Sequence, residues 1–362
     1  MTVLISLIIL FVYSFLIIKF IKGWNTIPFF KAEKSELQTR VTIITPCKNE
    51  VDNLPQLFKA INEQSYRNFE LIVVDDNSID GSYEFAVRVS LYWPTLKARK
   101  SIGSGKKSAI YTGIYLSENE LIITLDADSI PSSDWLRTIV LFYEKNPSDL
   151  IICPVKTGES NAFIGHFEQF EFASLVASGV GAVGAGKPIL CNGANLAFRR
   201  DAWLMSESEL HFDEPSGDDI FLLQSIKRRK GVIRFLKSTD AMVVTRPSRS
   251  VISFFKQRKR WVSKLSAFKD FQFAFTAISV FAICFLIVLN LVLAFVNVRF
   301  LYLSLALFVS KWIVDLMFFR TIQSFFNLKN VLTNSLLFSF IYPFYVLLTA
   351  GCAVFGRKNK KW

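Results

Sequence analysis

Two apolar, strand-like runs of the sequence each end in a pair of carboxylates. One of them, residues 121–131, reads LIITLDADSIP and carries Asp126 and Asp128 after its apolar part. Side chains two residues apart in an extended segment point the same way, so these two negative charges face one another. Such a pair is unfavourable unless water or a cation lies between the carboxylates. Because Mg²⁺ and Mn²⁺ bind one or two carboxylates and complete their shell with phosphate and water, the pair predicts a divalent-cation site.

The other acidic strand end, residues 71–82, reads LIVVDDNSIDGS. In an open parallel sheet, ligands bind at the carboxyl ends of the strands. Asp75 and Asp76 could accept hydrogen bonds there from a nucleobase or from ribose hydroxyls, whereas the alternative interpretation is simple turn chemistry. The occurrence of two such strand ends in one chain favours the binding-site interpretation.

A third acidic pair, Asp218 and Asp219, follows a glycine in the segment EPSGDDIFLLQSI. The apolar periodicity after the pair predicts a helix that begins here. One interpretation is a helix start whose acids interact with the helix dipole. The other is a general base that removes a proton from an attacking hydroxyl.

The segment QRKRW, residues 257–261, combines cations with an indole. A guanidinium can bind diphosphate oxygens through two hydrogen bonds, and an indole can stack on a sugar ring. As a charge run alone, the same segment is more typical of an anchor for lipid headgroups.

The elements that must position these residues follow an alternating pattern. Strand-like runs VTIIT, FELIVV and LIITL alternate with the helix-length stretches 52–64 and 106–117. This alternation predicts parallel strands joined by helical crossovers, that is, an α/β domain. With two histidines and five scattered cysteines in the chain, a Cys/His zinc site is disfavoured and a reduced, cytosol-facing domain is favoured.

Apolar runs flank this domain on both sides. Residues 3–18 predict an N-terminal anchor rather than a signal peptide, since no positive charge precedes the run and lysines follow it. Residues 273–296 and 300–319 are long enough to span a bilayer. Lys311 and Asp315, inside the latter, have a spacing that permits pairing. Residues 331–355 contain Pro343, and we expect this run to be broken or to lie in the membrane plane.

The segment 250–271 has apolar residues three or four apart, with Lys and Arg in much of the remainder. It could be a helix packed on the core, but the neighbouring spans favour a helix on the membrane surface. The net charge of +12 collects beside the apolar segments, which indicates cytoplasmic membrane flanks and disfavours nucleic acid as a partner. The predicted boundaries are therefore 1–22 for the anchor, 40–249 for the α/β domain, 250–271 for the interfacial helix, 272–356 for the membrane helices and 357–362 for a basic tail.

Taken in order, these motifs resemble glycosyltransferase family 2, in its membrane branch. TPCKNE (45–50) resembles the opening strand and loop, VVDDNSIDGS the nucleotide-binding acids, and GKKSAI (105–110) the Gly-Lys segment. LDAD resembles the metal-binding D-x-D, CNGANLAFRR (191–200) the acceptor-side stretch, and GDD with QRKRW the base and the Q-x-x-R-W signature. The resemblance covers roughly residues 40–262 and implies a GT-A fold with a mainly parallel, Rossmann-like sheet.

The resemblance implies a role for each matching residue. Those expected to bind the nucleotide sugar are Pro46, Glu50, Asp75, Asp76, Lys106, Asp126, Gln257, Arg260 and Trp261. Those expected at the acceptor are Gly193, Asn195 and Trp261, and those expected to hold Mg²⁺ or Mn²⁺ are Asp126 and Asp128. Asp219 is the expected base, with Asp218 in support, although many relatives have Glu-Asp at this position.

The implied reaction is an inverting single displacement by the acceptor hydroxyl on a nucleotide sugar, with a UDP-sugar as the default donor. The few spans favour a lipid or lipid-linked acceptor, with Lys311, Asp315 and Asn290 the main candidates for any polar lining. Processive synthesis of a cell-surface polysaccharide and a non-catalytic nucleotide-sugar-binding relative are the alternatives. We expect an integral protein of a bacterial inner membrane with its catalytic domain in the cytoplasm.

Overall fold

The computed structural model describes residues 2–33, 35–211, 217–262 and 270–355. The chain divides into two compact units. We call Met1–Thr26, Glu159–Ile189 and Pro247–Trp362 the helical unit, and Ile27–Gly158 with Leu190–Arg246 the sheet unit. The predicted domain 40–249 thus contributes residues to both units.

The described residues form helices and strands with the following bounds. The helices are α1 Thr2–Thr26, α2 Leu54–Asn62, α3 Ser82–Ser90, α4 Lys106–Leu116, α5 Trp135–Lys145, α6 Phe163–Gly184, α7 Arg200–Leu204, α8 Asp218–Arg228, α9 Val251–Val262, α10 Phe271–Leu293, α11 Arg299–Phe326 and α12 Val331–Phe355. The strands are β1 Val41–Cys47, β2 Phe69–Asp75, β3 Leu96–Lys100, β4 Leu121–Leu125, β5 Ser129–Pro131, β6 Leu150–Ile152, β7 Val155–Thr157, β8 Asn195–Arg199, β9 Ile233–Phe235 and β10 Val243–Thr245.

The sheet unit contains a seven-stranded sheet in the order β3-β2-β1-β4-β8-β6-β9. Strands β3, β2, β1 and β4 are parallel, and β8 runs antiparallel to both β4 and β6. A small second sheet has the order β5-β10-β7. The parallel strands predicted from the apolar runs are confirmed, within a mixed sheet.

Burial explains why these segments form strands and crossover helices. All seven residues of β2 are buried, as expected for a strand covered on both faces. Helix α2 buries Leu54, Leu57, Phe58 and Ile61, a stripe at helical spacing that packs into the core. Gly113 of α4 allows close approach, because a Cβ there would lie 2.6 Å from a methyl carbon of Ile44. Together these contacts fix the strand ends in place.

The helical unit contains four helices that are long and apolar enough to cross a membrane, among the described residues: α1, α10, α11 and α12. The predicted pairing within α11 is confirmed, with Lys311 Nζ 2.5 Å from Asp315 Oδ2. The break expected at Pro343 is wrong. Helix α12 continues through this residue, since a transmembrane helix tolerates proline where neighbouring helices support the freed backbone groups.

Helix α6 also belongs to the helical unit, where it packs on the end of α1 at backbone distance. A Cβ added to Gly23 would lie 1.9 Å from the carbonyl oxygen of Gly181, and one on Gly184 would lie 1.9 Å from that of Gly23. Such small residues let two helix backbones approach closely. The hydroxyl of Thr26 adds a hydrogen bond to the carbonyl of Gly184, at 3.3 Å.

The predicted interfacial helix 250–271 corresponds to α9 over its first part. Residues 263–269 lie outside the described residues, as does the predicted basic tail. Helix α10 begins after Asp270, whose carboxylate accepts a hydrogen bond from Phe273 N at 2.8 Å and so satisfies one free amide of the helix start.

Candidate active site

Three strand ends and one strand start lie at a single edge of the large sheet. The parallel register pairs Cys47 at the end of β1 with Asp75 at the end of β2. Strand β4 is the other neighbour of β1, and its last residue, Leu125, pairs with Asn195, the first of β8. The segments that follow β1, β2 and β4 and the one that precedes β8 therefore share this edge, where ligands bind in open α/β sheets.

Asp75 and Asp76 are both buried at the end of β2, at 4% and 3% exposure. Asp76 accepts hydrogen bonds from Lys48 Nζ at 3.1 Å and from the backbone N–H of Gly105 at 2.8 Å. Asp75 accepts one from Ser78 N through Oδ2, whereas its buried Oδ1 has no partner among the described residues. A buried carboxylate oxygen without a partner is costly, which makes this atom a candidate to accept a ligand hydroxyl or N–H.

Pro46 and Glu50 come from β1 and the loop after it. Pro46 pairs with Val74 in the parallel ladder. The Glu50 backbone N–H donates to Ser82 Oγ at 2.8 Å, which ties this loop to the start of α3. Burial, and then the charges of Asp128 and Asp126, raise the pKa of Glu50 against the opposing effect of a hydrogen bond from Asn53. Glu50 thus lies in the negative field of the carboxylates that follow β4.

Asp126 and Asp128 lie at the end of β4, and Lys106 at the start of α4 faces them. Lys106 Nζ is 2.7 Å from Asp126 Oδ1, with about a quarter of each side chain exposed. Burial and then the charge of Asp126 raise the pKa of Asp128, although Lys106 opposes this shift. Burial lowers the pKa of Lys106, but the charges of Asp126 and Asp218 outweigh it and raise the pKa overall. Both carboxylates thus lie within the field of Lys106, in a turn after β4 and not in the extended segment expected from the sequence.

Asp218 and Asp219 open helix α8 after Gly217, whose φ of 97° is a left-handed conformation that suits glycine. The two carboxylate oxygens of Asp219 accept hydrogen bonds from the backbone N–H groups of Ile220, at 2.8 Å, and Gly193, at 3.0 Å. A Cβ on Gly193 would lie 3.4 Å from Asp218 Oδ2. Gly193 is thus the point at which the acceptor-side segment meets the candidate base.

Asn195, the other predicted acceptor residue, is fully buried. Its amide nitrogen donates to the carbonyls of Pro154 and Ala241, and its Oδ1 accepts from Trp135 Nε1 at 3.0 Å. These bonds fix the start of β8 and with it the position of Gly193. A direct contact with the acceptor stays a prediction, and the observed contacts indicate a supporting role.

Lys107 is a residue of this region that the sequence analysis passed over. It is buried, and its ammonium donates to two consecutive carbonyls, Leu210 at 3.0 Å and His211 at 2.7 Å. The same ammonium lies 4.6 Å from the centroid of the Phe221 ring on α8. Lys107 therefore joins the start of α4 to α8 and to the backbone at residues 210–211. Its position next to Lys106 in GKKSAI was the only signal in the sequence.

Gln257, Arg260 and Trp261 lie on α9, in the helical unit. Gln257 accepts a hydrogen bond from Arg258 NH1 at 2.5 Å, and Trp261 has the guanidinium of Arg258 4.2 Å from its ring centroid. Arg260 is exposed. Arg258, one of the two variable positions of the Q-x-x-R-W signature, was not among the predicted site residues.

The donor set at the end of β4 fits a divalent cation. Asp126 and Asp128 supply hard oxygen ligands, and burial together with the charge of Asp126 raises the pKa of Asp128, which a bound cation would lower again. The described residues contain no group of three or more His, Cys, Asp or Glu placed to hold a metal. A cation bound here would therefore complete its shell with ligand and water oxygens, as Mg²⁺ commonly does.

Comparison with known proteins agrees with this geometry. The profile of the family described as glycosyl transferase family 2 matches residues 42–202. Among curated proteins, the chain is 32% identical over 114 residues to a dolichol-phosphate mannosyltransferase of Pyrococcus furiosus, a match covering 31% of this chain and 32% of that one. It is 33% identical over 120 residues to a 4,4'-diaponeurosporenoate glycosyltransferase of Staphylococcus haemolyticus, covering 32% of each. The chain spans about a third of the length of these relatives.

Among solved structures, the fold is similar to that of a mannosyltransferase from Pyrobaculum calidifontis in complex with GDP-Man and Mn²⁺. The TM-score is 0.64 at 19% identity, and the match covers 99% of this chain and 100% of the other. The predicted GT-A architecture is confirmed. The match to the family described as glycosyl transferase family 2 thus covers the segment that contains strands β1 to β8 and the helices between them.

Proposed function

We propose that this protein transfers a sugar from a nucleoside-diphosphate sugar to a lipid or lipid-linked acceptor at the cytoplasmic face of a bacterial inner membrane. The observation that carries the proposal is the set of carboxylates gathered at one edge of the sheet of a family 2 domain. We call this set, together with Lys106, the sheet-edge site: its acids are Asp75, Asp76, Asp126, Asp128, Asp218 and Asp219.

Donor binding is assigned to the part of the site nearest β2. Asp75 Oδ1 is buried and without a partner among the described residues, so a ribose hydroxyl or base N–H would satisfy it. Asp76 is held in place by Lys48 and by Gly105 N. Pro46 and Glu50 border the same region on the β1 side, and a UDP-sugar is the default donor.

The diphosphate is assigned to the end of β4. Asp126 and Asp128 would hold Mg²⁺ or Mn²⁺, which when bound offsets the negative charge of the diphosphate. Lys106 lies beside Asp126 and offers a second cation that can hydrogen-bond to phosphate oxygens. From the resemblance of QRKRW, we assign Gln257, Arg260 and Trp261 to the diphosphate and the acceptor.

Asp219 is assigned as the general base, with Asp218 in support. The two N–H groups of Gly193 and Ile220 orient the Asp219 carboxylate, and each oxygen keeps capacity for a further hydrogen bond. The acceptor hydroxyl gives its proton to Asp219 and forms a bond to the anomeric carbon. The bond from that carbon to the diphosphate breaks on the opposite side, and its electron pair leaves with the nucleotide. One displacement inverts the anomeric configuration.

The membrane helices favour a lipid acceptor over a threaded polymer. Lys311 and Asp315, two candidates for a polar channel lining, are buried and paired with each other. Asn290, the third, is buried and donates to the carbonyl of Leu286 in its own helix. These side chains therefore satisfy one another or their helix, and the membrane-facing surface is apolar. The names of the two curated relatives also indicate lipid-type acceptors for those proteins.

Product analysis tests the proposal. Purified protein in lipid is incubated with Mn²⁺ or Mg²⁺ and a panel of radiolabelled UDP- and GDP-sugars, and the products are extracted into organic solvent. We expect label in the lipid fraction, one or a few sugars long. Label in a long polymer would instead indicate polysaccharide synthesis. Binding of a donor without any transfer would indicate a non-catalytic relative.

A further inference from the structure

A buried ionic cluster in the helical unit joins the Q-x-x-R-W segment of α9 to helix α6. Arg258 is 2% exposed and donates to both carboxylate oxygens of Glu171, through Nε at 3.0 Å and through NH2. Its NH2 group also lies 3.6 Å from Glu168 Oε1. Two-point pairing of this kind fixes the plane of the guanidinium as well as its position. We call these three residues with Gln257, Trp261 and Tyr345 the Arg258 cluster.

The same guanidinium contacts two residues of the signature. NH1 donates to Gln257 Oε1 at 2.5 Å, and the plane stacks 4.2 Å from the Trp261 ring centroid. The ring of Phe172 on α6 also packs against Trp261, with the two ring centroids 6.1 Å apart. The orientations of Gln257 and Trp261 are thus both defined by one side chain.

The cluster extends into a membrane helix. Tyr345 of α12 donates its hydroxyl to Glu171 Oε1 at 2.9 Å, and its ring packs 5.7 Å from that of Phe254 on α9. On the other side, Ser248 donates to Glu168 through its backbone N–H at 2.7 Å and through its hydroxyl at 3.0 Å. Glu168 and Glu171 therefore both have hydrogen-bond partners, which they need because an unpaired charge in a low-dielectric interior is costly.

We propose that Arg258 is a positioning residue that holds the Gln257 and Trp261 side chains in their working orientation by tying α9 to Glu171 of α6 and, through Glu171, to Tyr345 of α12. This inference rests on the proposed function, because it assigns Gln257 and Trp261 to the diphosphate and the acceptor. Arg260 is exposed, whereas Arg258 is buried. Under the proposed function, Arg260 binds the ligand and Arg258 orients its neighbours.

The test replaces the buried ion pair while keeping its volume. The double variant R258M/E171M removes both charges of the two-point pair together, whereas a single substitution would leave one of them buried without its partner. Glu168 loses the guanidinium in this variant but keeps its two hydrogen bonds from Ser248. R258K retains the charge but loses the planar fork, and Y345F removes only the link to α12. The matched control is K329M/E159M, which removes an exposed ion pair of 2.8 Å in the same unit.

Two quantities are measured for each variant: kcat with the KM for each substrate, and acrylamide quenching of Trp261, obtained by subtracting W261F in the same background. We expect R258M/E171M to lose roughly ten- to 100-fold in kcat, with less than a twofold change in the donor KM, because small misplacements of aligned groups cost that much. Trp261 should become more accessible to acrylamide. R258K should be intermediate, Y345F should lose a few-fold, and the control should match wild type.

An R258M/E171M variant with wild-type kcat and wild-type quenching would overturn the proposal, as would a change in only one of the two quantities. If circular dichroism shows that the double variant does not fold, kcat and Trp261 quenching of R258K and Y345F test the proposal instead. If wild type binds donor but transfers no sugar, the proposed function fails. The quenching comparison then decides by itself whether Arg258 holds Trp261.

Discussion

The sheet-edge site and the Arg258 cluster both bring several charged side chains together, but their acids differ in the partners that the chain provides for them. In the Arg258 cluster, one guanidinium meets Glu171 at two points, Tyr345 donates to the same Glu171 oxygen as Arg258 Nε, and Ser248 donates to Glu168. At the sheet-edge site, the pKa of Asp128 is raised by burial and by Asp126 despite the nearby lysine. Both acids of the first cluster have a guanidinium and hydrogen-bond donors of the chain as partners, whereas at the second site acids outnumber lysines and a bound cation would offset their charge.

This difference indicates a supporting role for the Arg258 cluster and a role in binding and catalysis for the sheet-edge site. Paired buried charges fix geometry, and breaking such a pair is destabilising because the remaining charge stays buried. Unbalanced acids at a partly open edge cost stability in the free protein and become favourable when a ligand arrives. The predictions below test whether the two regions respond to substitution in these opposite ways.

The largest effect is expected for D219N. Removal of a general base costs roughly 10²- to 10⁴-fold in rate, so kcat should fall by that factor while donor affinity stays within about twofold of wild type. The measurement is single-turnover transfer combined with equilibrium binding of the donor. D218N serves as the matched control and should lose less. A D218N variant that loses more than D219N would reassign the base to Asp218.

The next effect concerns the metal pair. D126N/D128N should weaken Mn²⁺-dependent nucleotide binding by about tenfold or more, because neutral amides are poor ligands for hard cations. Isothermal titration with nucleotide, with and without Mn²⁺, measures this change. E63Q removes an exposed acid directly after α2 and should behave as wild type. Equal Mn²⁺ dependence in D126N/D128N and wild type would place the cation elsewhere.

An intermediate effect is expected at Lys107. K107M should lower kcat by roughly tenfold, because the carbonyls at 210–211 and the Phe221 ring lose the cation that fixes the backbone near Asp219. Donor affinity should change by less than about twofold. K59M, which removes an exposed lysine of α2, is the control. If K107M keeps full activity once folding has been verified, the contact is structural only.

The smallest effect concerns stability without metal. Because the pKa of Asp128 is raised, the folded state binds more protons than the unfolded state between the ordinary aspartate pKa and the raised value. Asp128 therefore lowers stability as pH rises through that window, and the cost is fully present above it. D128N should raise Tm at pH 7 in EDTA by about 1–3 °C, and this gain should vanish below the window. A lower Tm for D128N at pH 7 would contradict the unbalanced charge.

Much of the fold was predictable because its signals are local. The apolar runs of β1, β2 and β4 each end in polar residues, and the predicted helices 52–64 and 106–117 match α2 and α4 within a few residues. The position of Asp126 and Asp128 after an apolar strand was also predictable, but the extended segment expected across them was wrong: β4 ends at Leu125, and the two aspartates lie in a turn that Ser129 N closes on the carbonyl of Asp126 at 3.1 Å.

The features that sequence reasoning missed depend on contacts distant in the chain. Arg258 and Lys107 look like surface cations within basic segments, and only the positions of Glu171 and of the 210–211 carbonyls explain their burial. Asn195 belongs to a motif of the acceptor side, yet its partners Trp135, Pro154 and Ala241 are remote in sequence. Pro343 suggested a broken helix, because a single sequence does not show the neighbouring helices that support it.

The backbone contact between α1 and α6 has a consequence for synthesis in the cell. Thr26 and Gly184, which hydrogen-bond at this contact, are 158 residues apart in the chain. At synthesis rates of about 5–20 residues per second, α1 is made roughly ten to thirty seconds before α6. During that interval the surface of α1 at Gly23 lacks the helix that packs on it. If α1 is replaced by another apolar helix of equal hydrophobicity, the chain should therefore still reach the membrane. The close backbone contact with α6 should then not form.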